Sequence, residues 1–170
     1  MKRWLSCIEW SADRYRRFSA PIANRKRGRA VLHWSNLICA SLFYIAYPVM
    51  LFVLLFKREP FIWRAIVVPG VFFVLLSVFR KWLNRPRPYE TLDIDPLLKR
   101  ESTGASFPSR HIFSAFMIAA TVSAVTLWGV LLFVPAILLA IIRVIGGVHY
   151  PSDAIAGAGI ELLASMLYFI

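Results

Sequence analysis

The sequence predicts an all-α integral membrane protein, a bundle of about five transmembrane helices preceded by an amphipathic interfacial helix. Two observations carry this prediction. Hydrophobic residues make up 59% of the 170-residue chain and charged residues only 17%, and the mean hydropathy is +0.63, well above that of an ordinary soluble domain. Apolar runs long enough to cross about 30 Å of hydrocarbon, roughly 20 residues each, also recur along the chain.

The elements follow in order. The opening "MKRWLSCIEWSADRYRR" lacks the apolar core of a cleavable signal peptide. Trp4, Ile8, Ala12, Tyr15 and Phe18 recur at helical spacing beside Lys2, Arg3, Arg14, Arg16 and Arg17, the pattern of a helix lying in a membrane interface. A solvated basic tail would leave those aromatics exposed. Residues 1–30 thus read as a basic interfacial segment, and 31–170 as a helix bundle within one membrane domain, 1–170. Five spans are expected at about 31–56, 61–83, 109–127, 129–146 and 152–170. Pro48, Pro69 and Pro135 fall inside them and are expected to kink the helices without ending them. The polar stretch 84–107, "NRPRPYETLDIDPLLKRESTGASF", reads as a loop with a short turn around Pro96 to Lys99. Loops of that length in compact proteins usually carry function. Cys7 and Cys39 are placed too differently for a disulfide and lack the spacing of a metal site; no internal repeat is evident.

Counting crossings puts the span ends near Arg80, Ser109, Arg143 and Asp153 on one membrane face. Lys57, Arg58 and Arg64 are the basic residues of the other face. Three clusters then meet: "RKWLNRPRP" at 80–88, "PSRH" at 108–111 and "RVIGGVHYPSD" at 143–153. Together they resemble the three-part signature of the type 2 phosphatidic acid phosphatase superfamily, whose membrane branch hydrolyses lipid phosphates. Its pattern is Lys, six residues, Arg-Pro; then Pro-Ser-Gly-His; then Ser-Arg, five residues, His, three residues, Asp. The resemblance covers about residues 80–153.

Physical reasoning assigns roles to the same positions. A phosphate monoester carries up to two negative charges, and its transition state spreads charge over equatorial oxygens that fixed donors must meet. Arg80, Arg87 and Arg143 suit that task because the guanidinium fork binds two oxygens at once. Ser109 stands where a helix begins, so its hydroxyl and the free N–H groups of the first turn add donors, helped by the helix dipole. Asp153, in the first turn of the last helix, can hold one imidazole nitrogen of His149 and leave the other free to attack phosphorus. His111 can protonate the departing lipid alkoxide and then activate water. The resemblance implies these three catalytic roles. No cofactor or metal is called for.

Three positions depart from the family pattern. Arg80 replaces lysine, with Lys81 one residue late, so two cations compete for that place; arginine keeps the charge and adds donors, which favours Arg80. Arg110 replaces glycine in a first helical turn, where glycine's conformational freedom is not needed, and brings a further cation suited to a second phosphate or a head-group anion. Ile142 replaces serine and removes a hydroxyl. Elsewhere the bland readings prevail. His33 reads as a wet interfacial residue; Arg85, Lys99 and Arg100 as head-group contacts or solvated loop charges; Glu161 as a residue without a role; Phe72, Phe73 and Trp82 as packing or interfacial anchors.

The expected activity is hydrolysis of a phosphomonoester or diphosphate of a membrane lipid, of the phosphatidic acid or phosphatidylglycerol phosphate type, through a phosphohistidine; a prenyl diphosphate such as undecaprenyl diphosphate is the alternative substrate. Two other classes compete. A metal-dependent hydrolase could use His111, His149, Asp93 and Asp95, although "DID" lacks a defined ligand spacing. A non-enzymatic scaffold binding anionic lipid would also fit the net charge of +11. The partner is the bilayer and its lipid, not nucleic acid, because the basic residues flank spans; oligomeric state is left open. With the phosphate-binding arginines set aside, 13 basic residues lie on the motif face and three on the other. The positive-inside tendency then orients the site toward the cytoplasm, in a bacterial cell membrane.

Overall fold

The computed structural model describes residues 11–100 and 103–168, and these form helices and loops without a strand. Helix α1 spans Ala12–Ala23, α2 Gly28–Phe56, α3 Ile62–Leu83, α4 Pro88–Thr91, α5 Arg110–Val125, α6 Phe133–Ile145 and α7 Pro151–Ser165; 3₁₀ turns cover Leu127–Leu132 and Met166–Tyr168. Three of the described stretches are apolar and long enough to cross a membrane: α2, the stretch opened by α3, and Leu127–Ile145. At 16 and 15 residues, α5 and α7 extend only about 24 and 22 Å at 1.5 Å per residue. They sit where spans three and five were expected. Helix α5 holds the centre, in contact with α2, α3, α6 and α7, while α7 packs mainly on α5 and leaves Leu162 and Leu163 exposed.

Large apolar side chains cover the outside. Ile38, Phe52, Phe56, Val74, Leu75, Val134 and Ile155 are all exposed, far more apolar surface than a protein in water presents. A bilayer is the solvent that makes this favourable, and the chain is an integral membrane protein.

The core is divided by level. Leu32, Cys39, Phe43, Ala115, Ala119, Ala136, Leu139 and Ile142 join α2, α5 and α6. Leu76, Phe113, Met117, Ala164 and Tyr168 join α3, α5 and α7. Cys39 is buried and free of disulfide; Cys7, like Trp4 and Ile8, lies outside the described residues. Gly157 lets α7 approach α5 closely, since a Cβ there would stand 2.7 Å from the carbonyl oxygen of Ser109.

Several expectations change at the level of elements. Pro48 and Pro69 lie inside α2 and α3, but Pro135 falls in the first turn of α6. An N–H is unneeded there, so this proline begins a helix and does not kink one. The segment 84–107 is not a free loop. It opens with the short helix α4, and Ile94, Pro96, Leu97 and Leu98 are buried, Leu97 and Leu98 in the α2–α5–α6 core. Helix α1 buries Tyr15 and Ser19 and leaves Phe18 exposed. It docks onto this loop: Arg16 donates to the Asp93 carbonyl at 2.8 Å, the Tyr15 hydroxyl to that of Asp95 at 3.4 Å, and Arg29 pairs with the Asp95 carboxylate.

Candidate active site

The end of α3, the start of α5 and the α6–α7 turn converge, and each is fastened to the others by named bonds. Arg80, in the last turn of α3, is buried and donates to the carbonyls of Ala105 and Pro108. Asn84 ends α3 in the left-handed region at φ 41, and its Oδ1 accepts the Ala105 N–H at 3.2 Å. The Ser106 N–H donates to the Arg85 carbonyl at 2.8 Å. Glu90 closes the circle: its carboxylate accepts the Arg87 N–H at 2.6 Å and the Gly104 N–H at 3.0 Å. Backbone amides at the end of α3 and at the approach to α5 are thereby held by side chains in place of a regular ladder.

The α6–α7 turn delivers the histidine. Gly147 adopts φ +76, a left-handed conformation in which glycine has no Cβ penalty; the Tyr15 ring lies against it, 3.0 Å from where a Cβ would be. Asp153 follows His149 by four positions, and Pro151 opens α7 between them. His149 and Asp153 are fully buried. Asp153 Oδ2 accepts the Tyr150 N–H at 3.0 Å and the Ser106 hydroxyl, and faces His149 Nδ1 at 3.4 Å. Nδ1 therefore points at a carboxylate, which favours the tautomer with the proton there. The other ring nitrogen, Nε2, is buried without a partner.

Charge around that nitrogen is positive. Arg87 and Arg143 are each 2% exposed; Arg87 donates from Nε to the Gly104 carbonyl at 3.3 Å and from Nη1 to that of Val148 at 3.4 Å. Burial pushes the His149 imidazole down to about 4, the Asp153 hydrogen bond opposing and Arg143 and Arg87 reinforcing the shift. At neutral pH it is a neutral imidazole with a free lone pair. Ser109 is also fully buried; its N–H donates to the Asp153 carbonyl at 3.0 Å, and its Oγ has no partner although it occupies the N-cap of α5.

The remaining sequence-predicted residues divide. His111 is half-buried in the first turn of α5 and lines a cavity of about 270 Å³ with Arg110, Phe43, Tyr44, Phe73 and Ser114. Arg110 is exposed, its guanidinium 5.5 Å from the Phe73 ring centre. Lys81 is exposed while Arg80 is buried. Asp93 and Asp95 bond to Arg16 and Arg29 of the α1–α2 region, and among the described residues no group of three His, Cys, Asp or Glu is placed to share an ion.

Comparison with known proteins places this geometry. A family model described as "PAP2 superfamily" matches residues 61–170. The chain belongs to the PAP2 superfamily. It is 32% identical over 131 residues to a protein of Sulfolobus acidocaldarius named undecaprenyl-diphosphatase, covering 75% of this chain and 62% of that one; the chain thus spans somewhat under two thirds of that relative. The crystal structure of Aquifex aeolicus LpxE superposes with a TM-score of 0.72 at 25% identity, over 94% of each chain. That of a Bacillus subtilis protein described as a transmembrane PAP2 type phosphatidylglycerolphosphate phosphatase gives 0.69 at 24% identity, over 92% of this chain and 83% of that one, a likeness of fold.

Within this PAP2 site, four residues escaped the sequence reading. Arg85, expected among head groups, turns inward: Nη1 donates to Asp153 Oδ1 at 2.8 Å and Ser152 Oγ at 2.9 Å, and its guanidinium lies 4.3 Å from the Tyr150 ring centre. Ser106 and Glu90 carry bonds that hold the segment leading into α5, and Asn84 secures Ala105. None of the four carried a usable signal: Arg85 stands first in "RPRP" within a polar stretch, and the others form contacts of 14 to 47 residues' separation.

Proposed function

We propose that the chain is a lipid phosphate phosphatase acting on the phosphomonoester or diphosphate of a membrane lipid. The observation that carries this reading is a buried neutral imidazole whose Nε2 has no protein partner, set among buried arginines. His149 Nε2 attacks phosphorus, the P–O bond to the lipid breaks, and the oxygen takes its electron pair and a proton from His111. Water, deprotonated by His111, then attacks the phosphohistidine; the P–N bond breaks, the pair returns to Nε2, and inorganic phosphate leaves. Asp153 orients the ring, while Arg80, Arg87, Arg143 and the Ser109 hydroxyl meet the charge on the phosphoryl oxygens. These donors supply the neutralisation without a cofactor. The apolar cavity running from His111 between α2, α3 and α5 suits the lipid's hydrocarbon. Five spans in one membrane domain, α5 and α7 being the short ones, and a cytoplasm-facing site complete the proposal.

A prenyl diphosphate substrate has its own support: the relative named undecaprenyl-diphosphatase, and Arg110 at the mouth of the His111 cavity, placed for a second phosphate. Phosphate release is measured with excess chelator from phosphatidic acid, phosphatidylglycerol phosphate and undecaprenyl diphosphate, with His149→Ala in parallel. Release that survives chelation and disappears in the variant is expected. Release abolished by chelator, or equal in the variant, refutes the mechanism; no release from any lipid points to a lipid-binding scaffold.

A further inference from the structure

A second cleft, of about 160 Å³, opens on the other side of Arg143. It is lined by His33, Asn36, Leu98, Lys99, Arg100 and Arg143, so three of its six residues carry fixed positive charge and none is acidic. Helical register fixes its relation to the cavity at His111. On α2, Asn36 lines the cleft and Ala40, four residues on, lines the cavity; on α6, Arg143 lines the cleft and Leu139, four residues back, the cavity. The two spaces are therefore stacked one helical turn apart, about 5.4 Å, on the same faces of α2 and α6. Their linings differ in kind. The cavity is bounded mainly by Phe43, Tyr44, Phe73, Ile118 and Leu139; the cleft has Lys99, Arg100 and His33, all exposed, at its mouth and the buried Arg143 at its floor. Asn36 adds a carboxamide oxygen that is buried without a partner.

We infer that this cleft is an anion site that holds a phosphate group, a polar port distinct from the hydrocarbon cavity. The inference deepens the phosphatase reading and rests on it for the origin of the ligand. Cations around a concave, low-dielectric opening concentrate a dianion. Arg143 belongs both to this cleft and to the charged surroundings of His149, so a phosphate moving from one to the other keeps a guanidinium throughout. The Asn36 oxygen accepts a hydrogen bond, and hydrogen phosphate carries the O–H that sulfate at neutral pH lacks. The phosphate group has two sources: the inorganic product on its way to water, or the second phosphate of a diphosphate lipid.

The test titrates inorganic phosphate into the purified full chain in nanodiscs, followed by phosphorus NMR, for wild type, Lys99→Ala/Arg100→Ala and Asn36→Leu. The double variant is expected to weaken phosphate binding about tenfold, the scale of two partly exposed ionic contacts, and Asn36→Leu to erase the preference for phosphate over sulfate. Turnover then separates the sources. Relief of inhibition by phosphate with every substrate identifies the released product; a KM raised for a diphosphate lipid but not for phosphatidic acid identifies the second phosphate. Unchanged affinity and unchanged KM ratios in variants that melt like wild type overturn the inference. So does an equal loss in Arg14→Ala/Arg25→Ala, which removes two exposed cations elsewhere. His149→Ala keeps the failures apart: it is expected to lose turnover yet still bind phosphate in the cleft, and turnover retained in it refutes the histidine mechanism without touching the cleft.

Discussion

Removing the Arg85 guanidinium should change how His149 responds to pH. Asp153 is fully buried and its Oδ1 is held by Arg85 at 2.8 Å, with 15% of the arginine side chain exposed. Loss of one partner of a buried ion pair costs roughly 3–5 kcal/mol. Here the carboxylate keeps the Tyr150 N–H and the Ser106 hydroxyl, so the cost of Arg85→Ala falls to about 2 kcal/mol. With Arg85 gone a cation is lost and the negative charge of Asp153 acts more strongly on the imidazole, which becomes more basic. At 1.36 kcal/mol per unit, even two thirds of that energy raises the histidine by about one pH unit.

The sign is as follows. On the proposed mechanism His149 attacks as the neutral base, so activity is expected to fall as pH drops through its folded value of about 4. Unfolded imidazole titrates near 6.5. Between these values the unfolded chain holds the extra proton, and stability declines as pH falls, by about 3 kcal/mol across the whole window. In Arg85→Ala the acid limb of kcat should move up by about one unit and the melting temperature at neutral pH should drop by about 5 °C. Arg85→Lys keeps the charge but loses the fork and the face of Tyr150, and should lie between. A pH–rate profile and a thermal melt on the three proteins decide it. A lower melting temperature with an unmoved acid limb would show that Arg85 only braces the fold, and the argument for tuning would fail.

Three further outcomes follow from the geometry. Arg80→Ala should lower kcat at least a hundredfold by freeing the Ala105 and Pro108 carbonyls and removing a cation, whereas Lys81→Ala, exposed, should change it less than twofold; steady-state rates on one lipid compare them. Glu90→Gln removes the carboxylate that accepts two backbone amides and should destabilise the protein by about 1–3 kcal/mol, seen as a lower melting temperature with KM raised through the displaced Arg87. Gly157→Val drives a side chain into the Ser109 carbonyl and should cost about 1–3 kcal/mol while lowering kcat through Ser109; melting and rate measured together test whether both move.

The sequence revealed those parts of the site whose chemistry is periodic or tightly spaced. His149 and Asp153 are four residues apart, a helical interval that needs no tertiary knowledge to read. Arg80 and Arg87 stand at the two ends of one turn-and-loop, and counting apolar runs brought all the clusters to one face. What could not be read were bonds without local pattern. Ser106 meets Asp153 across 47 residues, and Glu90 meets Gly104 across 14; a serine or a glutamate in a polar loop looks the same whether it faces water or the core. Arg85 misled because a cation in a polar stretch just ahead of Pro86 reads as a solvated loop charge. Helix length was a further blind spot: the apolar runs at 109–127 and 152–170 gave α-helices of 16 and 15 residues, because the α-helices stop at Val125 and Ser165 and 3₁₀ turns follow them within apolar sequence.

The three departures from the family signature make sense once their surroundings are known. Arg80 reaches two carbonyls of the approach to α5. Lysine could offer an ammonium there but not a planar fork spanning both acceptors, so the exchange adds rigidity to the loop that presents Ser109. Arg110 follows the N-cap and adopts ordinary helical backbone, where a side chain adds no strain, and it lines the cavity at His111 with its guanidinium beside the Phe73 ring. Ile142 gives up a hydroxyl but is 4% exposed in the core shared by α2, α5 and α6. Burying that side chain contributes about 2 kcal/mol to fixing the helix from which Arg143 projects. Two of the exchanges, at Arg80 and Ile142, thus put a backbone clamp or a packed side chain where the family pattern has lysine and serine, while Arg110 adds an exposed cation. On the proposed mechanism, packing and backbone clamps at those two positions hold still the cradle that meets the phosphoryl group.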